Sequence, residues 1–166
     1  MKKVPFCRVA CDGNELAYVR QVLESGWLTT AGRAQEFERR FGEMVGARYA
    51  CAVNSCTAAL HLALEAAGIG PGDQVVVPTW TFTASAEVVR YLGADPLVVD
   101  VEYGTGLMLP ETLERALDKS PKVKAVIAVH FGGQAATLTT PDGRGILELC
   151  RKRGVKLVED AAHAFP

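Results

Sequence analysis

Short apolar runs alternate with helix-like patterns through most of the chain. The strand-length runs are residues 49–53, 74–77, 96–99, 124–130 and 156–159. The helix-like patterns are residues 15–25, 34–45, 57–67, 84–92, 110–119 and 141–153. Such alternation is typical of crossover units, in which helices cover both faces of a mainly parallel sheet. The pattern therefore predicts an α/β fold.

Glycines support these boundaries. Gly46, Gly68, Gly93 and Gly154 each follow a helix-like pattern, where a helix end often needs a residue that tolerates positive φ. In an open parallel sheet, ligands bind outside the carboxyl ends of the strands. Candidate functional residues are therefore expected directly after each apolar run.

The segment NSCTAAL, residues 54–60, follows one run and opens a helix with small hydroxyl residues. Free backbone N–H groups at such a helix start can bind an anion, so Ser55, Cys56 and Thr57 form a candidate phosphate seat. An ordinary Ser or Thr N-cap explains the same residues equally well. Neither GxGxxG nor GxxxxGK[ST] occurs, which argues against a dinucleotide or a nucleoside triphosphate.

Two aromatic residues follow the next run, in PTWTF. Trp80 and Phe82 are two positions apart, so they share a side in an extended chain and one of them could cover a planar ring. Packing in the core is the simpler alternative for either residue.

Acidic residues end two of the runs. Asp160 closes an otherwise apolar strand, where an unpaired carboxylate is costly, so we expect a cationic partner for it. Asp100 ends a strand in the same way, but a cap or loop role suits it better. His163 could donate to the same ligand as Asp160, although an isolated histidine is more often structural.

A phosphate seat, an aromatic cover and a buried acid at neighbouring strand ends indicate a flat, phosphorylated, cationic heterocycle. Pyridoxal 5′-phosphate (PLP) fits these three features. Its chemistry requires a protonated pyridine nitrogen, and a nearby carboxylate favours that charged form.

The composition further limits the class of protein and its possible partners. The chain has 166 residues, 49% of them hydrophobic and 22% charged, as in a globular protein with a substantial core. A net charge of −1 gives no electrostatic reason to expect nucleic acid or an anionic membrane as a partner. The 5 cysteines are odd in number and lack zinc or thioredoxin spacing, so we predict reduced thiols, no metal site and a cytoplasmic location.

Several motifs resemble, in order, those of the DegT/StrS group of sugar aminotransferases. They are GWLTTAGRAQEFERRF, VNSCTAALHLAL, GPGDQVVVPTWTFTASAEVVRYLGADPLVVDV, AVIAVHFGGQ and LVEDAAHA. The resemblance implies a PLP-dependent enzyme with the fold of aspartate aminotransferase. It also implies that a homodimer moves an amino group from glutamate to a keto-sugar nucleotide, in a pathway such as polysaccharide biosynthesis.

The resemblance also implies roles for individual residues. It places Ser55, Cys56 and Thr57 at the phosphate, and Phe82 on the pyridine ring. It makes Asp160 the partner of the pyridine nitrogen and His163 a donor near the 3′-oxygen. Trp27 and Thr29 fall on the substrate side. Cys56 and Ala31 stand where the family commonly has glycine.

The family's lysine that binds PLP covalently lies beyond the last motif of this chain. None of Lys2, Lys3, Lys119, Lys122, Lys124, Lys152 or Lys156 has a matching context. We therefore expect residues 1–166 to be the N-terminal part of a large PLP-binding domain, incomplete and inactive alone. Two alternatives remain: a non-catalytic binding or interaction module that keeps the fold, and a related PLP-dependent sugar dehydratase.

Overall fold

The computed structural model describes Pro5 and residues 8–165, which divide into two compact units at Ala52 and Val53. The first unit holds the helices α1 (Glu15–Ser25) and α2 (Gly32–Val45). Ion pairs join Arg39 to Glu36 and to Glu43 one turn apart along α2. In the same unit, a carboxylate oxygen of Glu38 accepts a hydrogen bond from the backbone N–H of Ala52 at 2.8 Å.

The second unit is an α/β fold. Its elements are, in order, α3 (Cys56–Ala66), β1 (Gln74–Pro78), α4 (Ala84–Tyr91), β2 (Asp95–Val99), α5 (Pro110–Lys119), β3 (Val123–Val129), a 3₁₀ turn (Phe131–Gly133), α6 (Ile146–Arg153) and β4 (Lys156–Asp160). The strands form one parallel sheet in the order β2-β1-β3-β4. The chain leaves β1 toward one edge and returns on its other side, so β1 and β3 flank the point where ligands bind in such sheets.

Helices cover both faces of this sheet, as the sequence predicts. Successive residues of β1 point to opposite faces, and each face has its own apolar core. One core joins the strands to α5 and α6 through Val76, Val126, Leu113, Leu117, Ile146 and Leu149. The other joins them to α3 and α4 through Val75, Val77, Ile127, Leu60, Leu64 and Val88. Each such buried side chain contributes about 1.5–3 kcal/mol to stability.

Most predicted elements agree with the structure to within two residues at each end. The prediction of a strand over residues 49–53 is wrong, since the segment has no strand pairing. A strand needs a backbone partner, whereas the N–H of Ala52 is taken by the side chain of Glu38.

The predicted helix over residues 141–153 begins only at Ile146. The hydroxyl of Thr140 accepts a hydrogen bond from the N–H of Arg144 at 2.8 Å and donates one to the carboxylate of Asp142 at 2.6 Å. These local bonds satisfy a turn and replace the first turns of the helix. The hydrogen bond from Thr140 also lowers the pKa of Asp142.

None of the helices in the described part of the chain has the length and apolarity needed to cross a membrane.

Candidate cofactor site

A cavity of about 470 Å³ lies at the carboxyl ends of β1, β3 and β4. It brings together most of the predicted site residues, which lie far apart in the sequence. Its lining includes Cys56, Thr57, Phe82, Asp160 and His163. The cavity lies wholly within the second unit, at the point where the strand order reverses.

Asp160 is the buried acid of this cavity, with 7% of its surface exposed. Its Oδ2 atom accepts a hydrogen bond from the hydroxyl of Ser85 at 3.1 Å. Its Oδ1 atom accepts from the thiol of Cys56 at 3.5 Å and from the N–H of Ala162 at 3.2 Å. All three donors are neutral, and no ion pair to Asp160 is formed within residues 8–165. A protonated heterocyclic nitrogen in the cavity therefore suits this carboxylate.

The thiol of Cys56 belongs to the same cluster. Partial burial raises its pKa to about 11, with smaller contributions from the charge of Asp160 and from their hydrogen bond. Cys56 is therefore protonated at neutral pH and acts as a donor to the carboxylate rather than as a nucleophile.

At the start of α3, the NSCT segment has both a Ser N-cap and free N–H groups that could bind an anion. The hydroxyl of Ser55 caps the helix by accepting from the N–H of Ala58 at 3.2 Å. Within the described residues, the N–H groups of Cys56 and Thr57 have no hydrogen-bond acceptor. These two groups, at the positive end of the helix dipole beside the cavity, can therefore receive an anion.

The two aromatic residues after β1 have different surroundings. The ring of Trp80 packs on Phe131 with centroids 5.4 Å apart. The Phe82 side chain lines the cavity and is 75% exposed. Trp80 also lines the cavity and is 55% exposed, so Phe82 is the more accessible of the two to a planar ligand.

His163 is oriented by the turn after β3. Its Nδ1 atom accepts a hydrogen bond from the N–H of Gly132 at 3.2 Å, and its ring contacts Phe131 edge-on at 5.8 Å. Gly132 has φ of 64°, which side-chain-bearing residues rarely adopt. In a neutral ring whose Nδ1 accepts, the proton is on Nε2. His163 can therefore donate from Nε2.

Asp100 has the loop role expected for it. It is exposed, and its Oδ1 atom accepts from the N–H of Val101 at 2.9 Å. Trp27 and Thr29 belong to the first unit, where they line a cavity of about 510 Å³. Their assignment to the substrate side stays a prediction.

Sequence reasoning missed Ser85 and His130. Ser85 is fully buried and contacts Asp160, as described above. His130 is 6% exposed, accepts from the N–H of Ala136 at Nδ1 and pairs with Glu159 through Nε2 at 3.1 Å. The only signal in the sequence was position: both residues follow the carboxyl end of a strand, in TASA and HFGG.

The sequence over residues 10–166 matches the DegT/DnrJ/EryC1/StrS aminotransferase family. The chain belongs to this family. The matched range includes the residues that line the cavity.

Solved structures of similar proteins agree with this membership. The aminotransferase from Psychrobacter cryohalolentis is 34% identical, with a TM-score of 0.86 over 97% of this chain and 40% of that one. The aminotransferase TlmJ from Streptoalloteichus hindustanus is 38% identical, with a TM-score of 0.79 over 93% of this chain and 41% of that one. Spr1654 from Streptococcus pneumoniae, solved in its PLP form, is 32% identical, with a TM-score of 0.85 over 98% of this chain and 44% of that one. The chain thus spans less than half the length of these relatives.

Proposed function

We propose that this chain forms most of the cofactor pocket of a PLP-dependent aminotransferase. Its substrates would be a keto-sugar nucleotide and an amino-acid donor, with glutamate as the donor. The observation that carries the proposal is the buried carboxylate of Asp160, which faces the cavity and has only neutral donors within the described residues.

Each feature of the cavity corresponds to one part of PLP. The N–H groups of Cys56 and Thr57 would bind the phosphate, and the ring of Phe82 would cover the pyridine. Asp160 would hold the proton on the pyridine nitrogen, because a carboxylate favours the charged form of a basic neighbour. His163 would donate from Nε2 to the 3′-oxygen.

Bound PLP supplies an electron sink for the electron pair released at the carbon that bears the amino group. The role of Asp160 is to keep that sink effective by retaining a positive charge at the ring nitrogen. The cavity walls are formed in part by the apolar side chains of Leu60, Val129 and Phe131, and such low-polarity surroundings would strengthen this interaction.

The lysine that would hold the cofactor covalently is proposed to come from outside this chain. No lysine of residues 8–165 lines the cavity. We propose that residues 1–166 are the N-terminal part of the large domain of a longer enzyme. The coverage of 40% to 44% of the solved relatives supports this proposal. The proposal also includes a cytoplasmic location, a homodimer and a role in polysaccharide biosynthesis. These three parts rest on the family resemblance.

The test is transamination by the complete protein with Asp160→Asn. An amide cannot hold the ring nitrogen protonated, so we expect turnover to fall by at least about a hundredfold, since each 1.4 kcal/mol of lost transition-state stabilisation is worth about tenfold. Asp100→Asn is the matched control, because Asp100 directly follows the end of β2 but lies outside the cavity. Near wild-type turnover in Asp160→Asn would contradict the proposal.

Product analysis distinguishes the alternatives. Transfer of the amino group from glutamate to the sugar supports an aminotransferase. Loss of water from the sugar without amino transfer would favour a dehydratase, and binding of a ligand without turnover of any substrate would favour a non-catalytic module.

A further inference from the structure

Ser85 is fully buried in the first turn of α4, yet its hydroxyl has two polar contacts. Its Oγ atom lies 3.1 Å from Oδ2 of Asp160 and 2.7 Å from Oγ1 of Thr81. Nothing in the proposed binding of the cofactor uses either hydroxyl. A buried hydroxyl placed against a buried carboxylate is costly to maintain unless its hydrogen bonds are made.

The direction of these hydrogen bonds follows from the chemistry of the groups. An ionised carboxylate only accepts, so Ser85 must donate its single hydroxyl proton to Asp160. The oxygen of Ser85 then accepts, and Thr81 donates to it. The three groups form a directed series in which Thr81 fixes the hydroxyl of Ser85, and Ser85 fixes Oδ2 of Asp160.

The two oxygens of Asp160 are held by different parts of the fold. Oδ1 is held by Cys56, at the exposed start of α3, and by the N–H of Ala162, in the turn that follows β4. Oδ2 is held by Ser85, on a helix whose neighbouring residues Val88 and Val89 are buried in the core. Without Ser85, no side chain of the described residues would restrain Oδ2, and the carboxylate could rotate about its terminal torsion.

We propose that Ser85, supported by Thr81, is a positioning residue that fixes the plane of the Asp160 carboxylate toward the ring nitrogen of the cofactor. This inference rests on the proposed function. Ser85 acts only through Asp160, so it sets how well the carboxylate retains the nitrogen's proton. Recognition of the phosphate or of the substrate does not depend on it.

The test uses the complete protein with Ser85→Ala and Thr81→Val, in parallel with Asp160→Asn. Two binding readouts are measured, namely the affinity for pyridoxamine phosphate and the ¹⁵N chemical shift of its labelled ring nitrogen, and turnover is measured as a third quantity. For Ser85→Ala we expect affinity to fall by about tenfold, as for loss of a hydrogen bond to a charged group, and the shift to move toward the unprotonated value. Turnover should fall by at least tenfold, with the KM for the amino donor changed less than threefold.

The Thr81 variants show how much of the change expected for Ser85→Ala depends on the hydroxyl of Thr81. Thr81→Val keeps the side-chain shape and should give a smaller change in the same direction, and Thr81→Ser, which keeps the hydroxyl, should restore wild-type values. Thr81 is only partly buried, so its variants should fold and can test the proposal if Ser85→Ala does not fold. Ser120→Ala is the control for loss of one hydroxyl, because Ser120 bonds Gln74 at the opposite end of the strands. It should alter neither readout.

The outcomes separate this inference from the function on which it rests. If Ser85→Ala and Thr81→Val keep wild-type affinity, ¹⁵N shift and turnover while Asp160→Asn loses them, the positioning role is wrong and the function of Asp160 stands. If Asp160→Asn itself leaves all three unchanged, the proposed function and this inference are both overturned.

Discussion

The Sγ atom of Cys56 lies 3.5 Å from Oδ1 of Asp160, and these two residues are 104 positions apart in the sequence. The contact helps to raise the pKa of the Cys56 thiol to about 11, although partial burial is the largest cause. Thiolate is the reactive form. We therefore expect iodoacetamide at pH 8 to modify Cys56 at least tenfold more slowly than Cys11 and Cys51, although all three residues are exposed.

The variant Asp160→Asn checks the cause of this low reactivity. It removes the negative charge but leaves the burial, so modification of Cys56 should become faster and yet remain slower than that of Cys11. Peptide mass spectrometry after timed quenching measures each site separately. Equal rates for Cys56 and Cys11 in the wild-type chain would contradict the raised pKa of Cys56, and an unchanged Cys56 rate in Asp160→Asn would show that Asp160 does not contribute to it.

The alternation of apolar runs was enough to predict the parallel sheet. Runs such as residues 74–77 and 124–130 are rich in Val and Ile and are buried on both faces, so they have the composition of central strands. Residues 49–53 (YACAV) are also apolar but form no strand, because pairing depends on a neighbour that local sequence does not reveal. The start of α6 was misplaced for a related reason: the side chain of Thr140 competes with the helix for backbone groups.

The sequence predicts those site residues whose position at the end of a strand is itself informative. Asp160 ends an apolar strand, and that placement made it a candidate. Asp100 follows an apolar run in the same way, and its place outside the cavity is what separates the two. Ser85 could not be selected in this way, because its significance is a contact with a residue 75 positions away. His130 likewise becomes informative only once Glu159 and Ala136 are seen beside its ring.

Binding of PLP by the 166-residue chain alone should be weak and noncovalent. The groups proposed to receive phosphate are present at the start of α3, but no lysine of residues 8–165 lines the cavity. Borohydride reduction followed by mass analysis measures covalent attachment. A stable pyridoxyl adduct at one lysine of this chain would contradict the proposal that the covalent lysine lies elsewhere.

Replacement of His163 should separate hydrogen bonding from shape. His163→Leu removes the Nε2 donor, so affinity of the complete protein for PLP should fall by about two- to tenfold, the usual range for one neutral hydrogen bond. His163→Gln keeps an N–H donor and should retain most of the affinity. His61→Leu is the control, since the His61 ring packs on Tyr91 and lies outside the cavity. Equal affinities for the Leu and Gln variants of His163 would argue against a donor role.

Gly145 is required by close packing at the start of α6. A Cβ atom there would collide with the carbonyl oxygen of Leu138, so the backbone would have to move. We expect Gly145→Ala to lower the free energy of unfolding by at least about 2 kcal/mol, as for other overpacked sites. Gly70→Ala is the matched control, because nothing lies within 4 Å of a Cβ atom there. Denaturant unfolding compares the two, and equal midpoints would show that the contact with Leu138 is absent in solution.

The isolated 166-residue chain should not persist as a monodisperse monomer. None of the residues of α1 is buried, and its apolar residues Leu16, Val19 and Leu23 are 80%, 57% and 62% exposed. In the second unit, β2 and β4 are the edges of the sheet, and each has one side without a paired strand among the described residues. Such edges are templates for pairing with another chain.

The energies favour association over a stable monomer. Covering about 400 Å² of apolar surface contributes about 10 kcal/mol at roughly 25 cal/mol per Å², which is comparable with the whole stability of a typical domain. A chain that leaves such surface in water lowers its free energy by self-association or by binding the rest of its enzyme. Sedimentation velocity on the purified chain measures this directly, with the complete protein as the control. A compact monomer across the micromolar range that also unfolds cooperatively on heating would show that these residues are self-sufficient, because neither the exposed face of α1 nor the open strand edges would then require a partner.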